Sequence, residues 1–265
     1  MLSRHLKSAN EMIADNPDSP VLVKTIDMQK GYVDSLHQHQ WHQVIFPLKG
    51  LLQTQADRYQ YLVPHTSALF VPANLSHESV ALSNTTFMGI YINPKLGRPY
   101  EREIRTISLT PFIRELLKEI HRSNQQSGDR DSLSRLLDVL HDQIAKDDLL
   151  TFKLLLPEDR RLKLIFEKLT DTPELDWSLL KWGECVGASE RTLSRLFAKE
   201  FNTSFSLWRR HLRLIYSLSL LDENLSIQTI ADKVGYQNDS SYIKAFKENF
   251  GTTPQQFRTK GEIVS

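Results

Sequence analysis

Apolar residues recur at helical spacing in the second half of the chain and in short strand-like runs in the first third. Leu179, Trp182 and Val186 fall at i, i+3 and i+7, one face of a helix. Gly183 lies on that face, where a small residue lets a second helix approach. Gly187 supplies the left-handed residue that stops a helix. Ser189 can cap the next helix, Glu190 in its first turn favours the helix dipole, and Leu193, Leu196 and Phe197 form its apolar stripe. The plan then repeats. Ile227, Ile230 and Val234 have the same spacing, Ala231 stands for Gly183, and Gly235 stands for Gly187, 48 residues on. Asn238 or Asp239 can cap the following helix, with Tyr242, Ile243, Phe246 and Phe250 on its apolar face. The glycine-to-phenylalanine spacing is longer by one residue in the second copy.

Between the copies, Phe205 to Leu221 reads as one helix with Phe205, Trp208, Leu212, Ile215, Leu218 and Leu221 on its apolar face. At ~1.5 Å per residue it is about 25 Å long. The pattern predicts two helix–turn–helix units, 179–200 and 227–250, held by one long helix. Such units place their second helix in the DNA major groove, and two of them about one turn apart, roughly 34 Å, enter the same face. A plain helical bundle is the alternative for any single helix–glycine–helix pair; the duplication argues against it.

The first third reads as strands: Val21–Ile26, Val44–Phe46, Leu51–Thr54, Ala68–Val71 and Thr86–Ile92. Turn residues separate them (Lys49-Gly50, Pro64, Pro72-Ala73-Asn74, Ser83-Asn84), which predicts a β-sandwich or barrel. Residues 1–20 are polar and read as an arm. Thr110 and Pro111 open a helix with Phe112, Ile113, Leu116, Leu117 and Ile120 as its stripe, and Ser127-Gly128 breaks it. A second helix, about Asp131 to Lys146, carries Leu133, Leu136, Leu137, Leu140 and Ile144. Thr151 to Glu158 reads as a linker. The expected fold class is therefore α+β with two domains: an arm (1–20), a β-sandwich or barrel (21–103), a helical linker region (104–156) and an all-α domain (157–265).

Charge refines this picture locally. The net charge is +1, and residues 157–265 carry 16 Lys+Arg against 15 Asp+Glu. From Ser189 to Arg213, however, six basic residues (Arg191, Arg195, Lys199, Arg209, Arg210, Arg213) face two acidic ones. DNA binding needs such a basic face rather than a basic domain. The single Cys185 cannot pair within the chain and is expected to be a small buried hydrophobe. No apolar run reaches the ~20 residues of a membrane span, and the N-terminus lacks a signal-peptide core. These features point to the cytoplasm and to no membrane partner.

The stretch from about Pro157 to Arg258 resembles the DNA-binding domain of the AraC/XylS family of bacterial transcription regulators. The residues that carry the resemblance are Ser189–Phe197 (SERTLSRLF), Trp208-Arg209-Arg210, Leu212-Arg213-Leu214, the Ile230-Ala231 to Val234-Gly235-Tyr236 block, and Phe246 to Phe250-Gly251-Thr252-Thr253-Pro254. Tyr216-Ser217-Leu218 departs from the alanine-rich run usual there. The resemblance implies that Arg191, Ser194 and Arg195 sit at base-reading positions, beside Ser189 and Glu190. Arginine at such a place reads guanine O6 and N7 in bidentate fashion. Arg209, Arg210 and Lys199 are expected on phosphates or in salt bridges within the domain. In the second unit the outward set is Asp239, Ser240, Ser241 and Lys244, and its acidic member predicts weaker binding. The family also implies promoter DNA, a small-molecule effector, a homodimer, and RNA polymerase contact for an activator. One of the two linker-region stripes can serve that homodimer; a core role for both is equally open.

Within the β region, Gly31, His37-Gln38-His39, Gln43 and Gly50 resemble the first cupin motif, and Pro72 to His77 the second. In metal-binding cupins the matching positions hold two His, a Glu and a third His; here they are His37, His39, Gln43 and His77. The amide is a weaker ligand than a carboxylate, yet three imidazoles alone can hold zinc, nickel or iron. The histidines then either line a small-molecule pocket without metal, bind a metal, or are structural. His42 and His65 lie off the motif and receive no role. The leading expectation is a ligand-responsive DNA-binding regulator with no catalytic residue. The alternatives are a metal-ion-responsive regulator, or a metal-dependent cupin enzyme fused to a DNA-binding domain.

Overall fold

The computed structural model describes residues 7–125, 130–146, 153–221, 223 and 225–262. The chain divides into two compact units, 1–57 with 63–151 and 58–62 with 152–265. In order, the N-terminal part runs α1 (Ala9–Asp15), β1 (Val21–Met28), β2 (Val33–His37), β3 (His42–Lys49), β4 (Leu51–Ala56), β5 (Tyr59–Pro64), β6 (Ser67–Val71), β7 (His77–Ala81), β8 (Thr85–Ile92), β9 (Arg105–Ser108), α2 (Pro111–Gln125) and α3 (Arg130–Ile144). One antiparallel sheet has the order β1-β8-β3-β6-β9. In a second sheet β7 lies between β4 and β2, again antiparallel.

All five expected strands are present and slightly longer, and β2, β5, β7 and β9 are additional. The missed strands lack the ordinary signal. In β7 the buried alternate residues are His77, Ser79 and Ala81, so its inward face is not apolar. Strand β2, VDSLH, has no fully buried residue. Strand β9 stands where only helix was expected. The polar arm contains a capped helix: the Ser8 hydroxyl accepts from Glu11 N–H while the Glu11 carboxylate accepts from Ser8 N–H. The Ser127-Gly128 break lies outside the described residues.

The apolar faces of α2 and α3 both close over one face of the first sheet. Ile113, Leu116, Leu117, Ile120, Leu133, Leu137, Leu140 and Ile144 form one core with Val44, Phe46, Phe70 and Ile90. Both stripes therefore serve the core, the second of the two alternatives that the sequence left open. Phe112 is corrected: it is 57% exposed, because the turn that aims Ile113 and Leu116 inward aims its ring out.

The second unit contains β10 (Lys153–Leu155), which pairs antiparallel with Tyr59–Tyr61. It thus occupies part of the expected linker. Then come α4 (Arg160–Asp171), α5 (Leu179–Val186), α6 (Glu190–Phe201), α7 (Phe205–Leu221), α8 (Ile227–Lys233), α9 (Asp239–Phe250) and α10 (Pro254–Glu262). Gly187 ends α5 in the left-handed region at φ +68°. Ser189 caps α6 through Thr192 N–H, and Asn238, rather than Asp239, caps α9 through Ser241 N–H. Ser178 and Ser226 cap α5 and α8 in the same way, a second repeat that the apolar pattern does not reveal. The copies differ at one point: α8 stops a residue earlier than α5, with Val234 at its C-cap. All six expected apolar residues of α7 are buried. Cys185 is exposed, not buried, because Trp182 and Val186 define the inner face of α5 and Cys185 points away from it.

Gly183 shows why the two helices of the first unit approach so closely. A Cβ there would lie 2.3 Å from the Ala188 carbonyl oxygen. Gly→Ala inside a helix ordinarily gains about 1 kcal/mol. Gly183→Ala is instead expected to destabilise the unit by ~1–3 kcal/mol through overpacking, read as a lower denaturation midpoint. A neutral or stabilising result would show that the turn yields.

Candidate DNA interface and histidine cluster

Helix α6 buries Leu193 and Phe197 and leaves Glu190, Arg191, Ser194, Arg195 and Lys199 exposed. Arg191 and Arg195 stand four residues apart, one turn along the same face. Among the described residues neither has an ion-pair or hydrogen-bond partner, so both guanidinium groups are available. In α9 the outward set is less basic. Ser241 donates its hydroxyl to Asn238 Oδ1 at 2.6 Å as part of the cap, and the Ser240 hydroxyl reaches Asp239 Oδ1 at 3.3 Å. Lys244 is exposed and carries the positive charge of this face.

The other three basic residues of the local cluster are used inside the unit. Arg209 donates to the Trp177 carbonyl at 3.0 Å, pairs with Asp176 at 3.1 Å and lies over the Phe205 ring. Arg210 pairs with Glu248 at 3.0 Å. Arg213 is buried, and its guanidinium donates to the carbonyls of Pro173 (2.8 Å), Gly235 (3.0 Å), Glu174 and Leu175 (both 3.3 Å). The basic face read from the sequence is therefore narrower than the count of six, and Arg213 is a structural residue that the count misassigned. Its burial follows from helical position: it sits between Leu212 and Leu214 on the crowded side of α7.

In the first unit the register assembles the four motif residues. His77 on β7 pairs with His37 on β2, across an irregularity between Asp34 and His37, and Gln43 on β3 pairs with Tyr91 on β8. The ligand atoms of His37, His39 and His77 all lie within 4.8 Å of one another. Gln43 Oε1 stands 3.1 Å from His39 Nε2 and 3.0 Å from His77 Nε2, and Gln43 Nε2 donates to the Tyr91 hydroxyl at 3.3 Å. His39, Gln43, His77 and Tyr91 are buried; His37 is half-buried.

The backbone fixes the tautomer of all three rings. Each Nδ1 faces a carbonyl oxygen: His37 faces Ser35 (2.8 Å), His39 faces Trp41 (2.6 Å) and His77 faces Leu75 (3.0 Å). A carbonyl only accepts, so each Nδ1 carries the proton and each Nε2 is left with a lone pair. Burial holds His39 below the usual histidine range and pushes His77 down to about 4, so both rings stay neutral at pH 7. The lone pairs of His39 and His77 and the amide oxygen thus converge without a donor among them, with a ring nitrogen of His37 within 4.8 Å. Such a set fits a divalent transition ion, and the carbonyls supply the outer partners that orient metal-binding imidazoles. Ligands ~2.1 Å from an ion are about 3.4 Å apart in a tetrahedral set and about 3.0 Å apart at right angles, and the separations from Gln43 Oε1 are near the second. His42 has a different duty: its Nδ1 accepts from Ala73 N–H at 3.1 Å and its ring stacks on Phe70.

A cleft of about 950 Å³ opens beside the cluster. His37 and Tyr91 line it together with residues of α1, β1 and β2, Lys24, Ile26, Met28, Val33 and Asp34 among them. None of these but His37 is a motif residue, and β2 was not anticipated, so the cleft was not legible from the sequence.

Residues 182–260 match a helix-turn-helix domain family. Over 231 residues the chain is 26% identical to the HTH-type transcriptional regulator NimR of Escherichia coli, covering 87% of this chain and 84% of that protein. It is 38% identical over 108 residues to the HTH-type transcriptional regulator RipA of Corynebacterium glutamicum, a match spanning 41% of this chain and 32% of RipA. Among solved structures, ToxT of Vibrio cholerae aligns over 91% of this chain and 98% of its own with 14% identity and a TM-score of 0.38. The protein is a DNA-binding transcription regulator. The residues that match the helix-turn-helix family span most of the two repeated units α5–α6 and α8–α9. No helix among the described residues is long and apolar enough to cross a membrane.

Proposed function

We propose that this regulator binds promoter DNA through α6 and α9 and answers to a small molecule held in the N-terminal β unit. The carrying observation is the pairing, in one chain, of α6 arginines without a partner among the described residues and a cleft whose lining includes His37 and Tyr91. Residues 157–265 act as the DNA-binding domain, 21–103 as the effector domain and 104–156 as the helical region between them. The protein works in the cytoplasm as a homodimer, contacts RNA polymerase where it activates, and catalyses no reaction. Ligand control follows from different affinities of the effector for two arrangements of the protein. The test is a DNA titration with and without compounds that raise the melting temperature. If no compound that stabilises the protein alters its operator affinity, the effector reading fails.

Base reading is assigned to Arg191, Ser194 and Arg195, with Ser189 and Glu190 beside them, and Asp239, Ser240, Ser241 and Lys244 form the weaker outward set of α9. Arg209 steadies the loop before α5 and at most reaches a phosphate. Arg195→Ala is expected to lose ~1–3 kcal/mol on the natural site and to relax choice at one base pair. Ser189→Ala serves as the control, costing about 1 kcal/mol of stability with base preference intact. Titrations on single-base variants and random DNA separate the two. Full discrimination retained by Arg195→Ala would show that α6 has been misread.

The locked tautomers favour a second reading, in which the signal is a divalent cation such as zinc, nickel or iron(II). His37, His39 and His77 would hold it, with Gln43 beside them. The purified chain should then take up about one ion, and His39→Ala should lose it. Elemental analysis that finds no ion after loading would leave the cleft as a metal-free pocket.

A further inference from the structure

The fourth member of the cluster is an amide, and its two ends differ in a way a carboxylate's do not. We propose that Gln43 makes the histidine cluster a reversible divalent-cation site, one side chain serving both its filled and its empty state. The proposal rests on the cation reading above.

With a cation bound, Oε1 faces it beside the lone pairs of His39 and His77, and the amide N–H donates to the Tyr91 hydroxyl. This is the orientation in the structure, with Oε1 3.1 and 3.0 Å from the two Nε2 atoms. Without a cation, three acceptors would face one another in a buried site, and unmatched polar atoms there are costly. Half a turn about the terminal C–C bond of Gln43 exchanges the amide oxygen and nitrogen. The NH₂ group then donates to both imidazoles from the same positions, and the oxygen accepts the Tyr91 O–H. A tyrosine hydroxyl both donates and accepts, so Tyr91 serves either orientation. Among these four side chains no other heavy atom has to move.

Glutamate at this position has no such second state. Both of its oxygens accept, so an empty site would bury a negative charge against two lone pairs. A carboxylate therefore demands an ion or a proton in that site, whereas the amide needs neither. Occupancy that follows ion concentration is what a regulator requires. His37, half-buried on the cleft side, is the member an entering ion meets first.

The experiment uses the full chain, stripped with a chelator and titrated with zinc against a chromophoric competitor. The Gln43 side-chain amide is followed by ¹⁵N NMR and assigned by its loss in Gln43→Glu. In the wild type the stripped protein should melt cooperatively, bind about one zinc reversibly, and shift the Gln43 NH₂ signals as their protons leave the imidazoles. Gln43→Glu should bind zinc roughly tenfold or more tightly and melt lower when stripped, with recovery on adding zinc. His39→Ala should bind none. Unchanged zinc affinity and unchanged stripped-state melting in Gln43→Glu would overturn the proposal, as would Gln43 signals that ignore bound zinc. If Gln43→Glu does not fold even with zinc, the wild-type amide signals decide alone. A wild-type chain that takes up no zinc defeats the cation reading itself and this proposal with it; the wild-type stoichiometry tells that failure from the other.

Discussion

Arg213→Met is expected to cost the helical unit ~3–5 kcal/mol, enough to unfold it or nearly so. The reason is the number of groups that one side chain satisfies. Its guanidinium supplies donors to Pro173, Glu174 and Leu175, ahead of α5, and to Gly235, between α8 and α9. It thereby fixes the lead-in to both helix–turn–helix units against α7. Gly235 makes room for it: a Cβ there would lie 2.6 Å from Arg213 Nη2. Methionine keeps the apolar stem but leaves the carbonyls without a donor, at ~1–3 kcal/mol for each that stays buried. Arg210→Met is the control, three residues earlier on α7, where an exposed pair with Glu248 is worth about 0–1 kcal/mol. Chemical denaturation followed by the fluorescence of Trp177, Trp182 and Trp208 measures both. If the two variants agree within about 1 kcal/mol, water replaces the guanidinium and Arg213 does not hold the units together.

Acid is expected to weaken the β unit between pH 6.5 and about 4. Burial pushes His42 and His77 each down to about 4, from an ordinary value of 6.5. For His42 the nearby His39 adds to the effect; for His77 the Leu75 carbonyl works against it. Between those pH values the unfolded rings hold a proton and the folded rings do not. The unfolded state binds more protons there, so stability rises with pH through the window and is lost as pH falls. Each ring contributes up to about 3 kcal/mol, fully present above pH 6.5. Hydrogen exchange of the amides in β3 and β8, with zinc absent, isolates this unit from the helical one. His42→Gln, which keeps an acceptor for the Ala73 N–H, should flatten part of the dependence. Protection that stays constant from pH 7 to pH 5 would mean that the folded rings accept protons freely.

The helical half was legible because its determinants are local. Gly187, Ser189 and Asn238 act on the backbone within a few residues of themselves, and the stripes of α6, α7 and α9 repeat at the period of one helix. The motif histidines were legible by type and spacing alone. Nothing local marked β2 and β7: β2 has no fully buried residue, and the buried face of β7 is His77, Ser79 and Ala81. Phe112 and Cys185 were misplaced for a related reason. Each is apolar and near a stripe, and only the packing partner decides which side of a helix is inside.

The sequence by itself determined the repeat, the Ser189 cap of α6, five of the strands and the type and spacing of the motif histidines. Those features depend on each residue's chemistry and on short spacings. Only the tertiary structure decided that Arg213 is buried among carbonyls, and that Gln43 stands between two imidazoles with Tyr91 behind it. It also decided that both linker-region stripes close one core. These outcomes depend on which strands and helices become neighbours. Pairing over long stretches of chain is set by the summed burial of whole faces, which no short window of residues encodes.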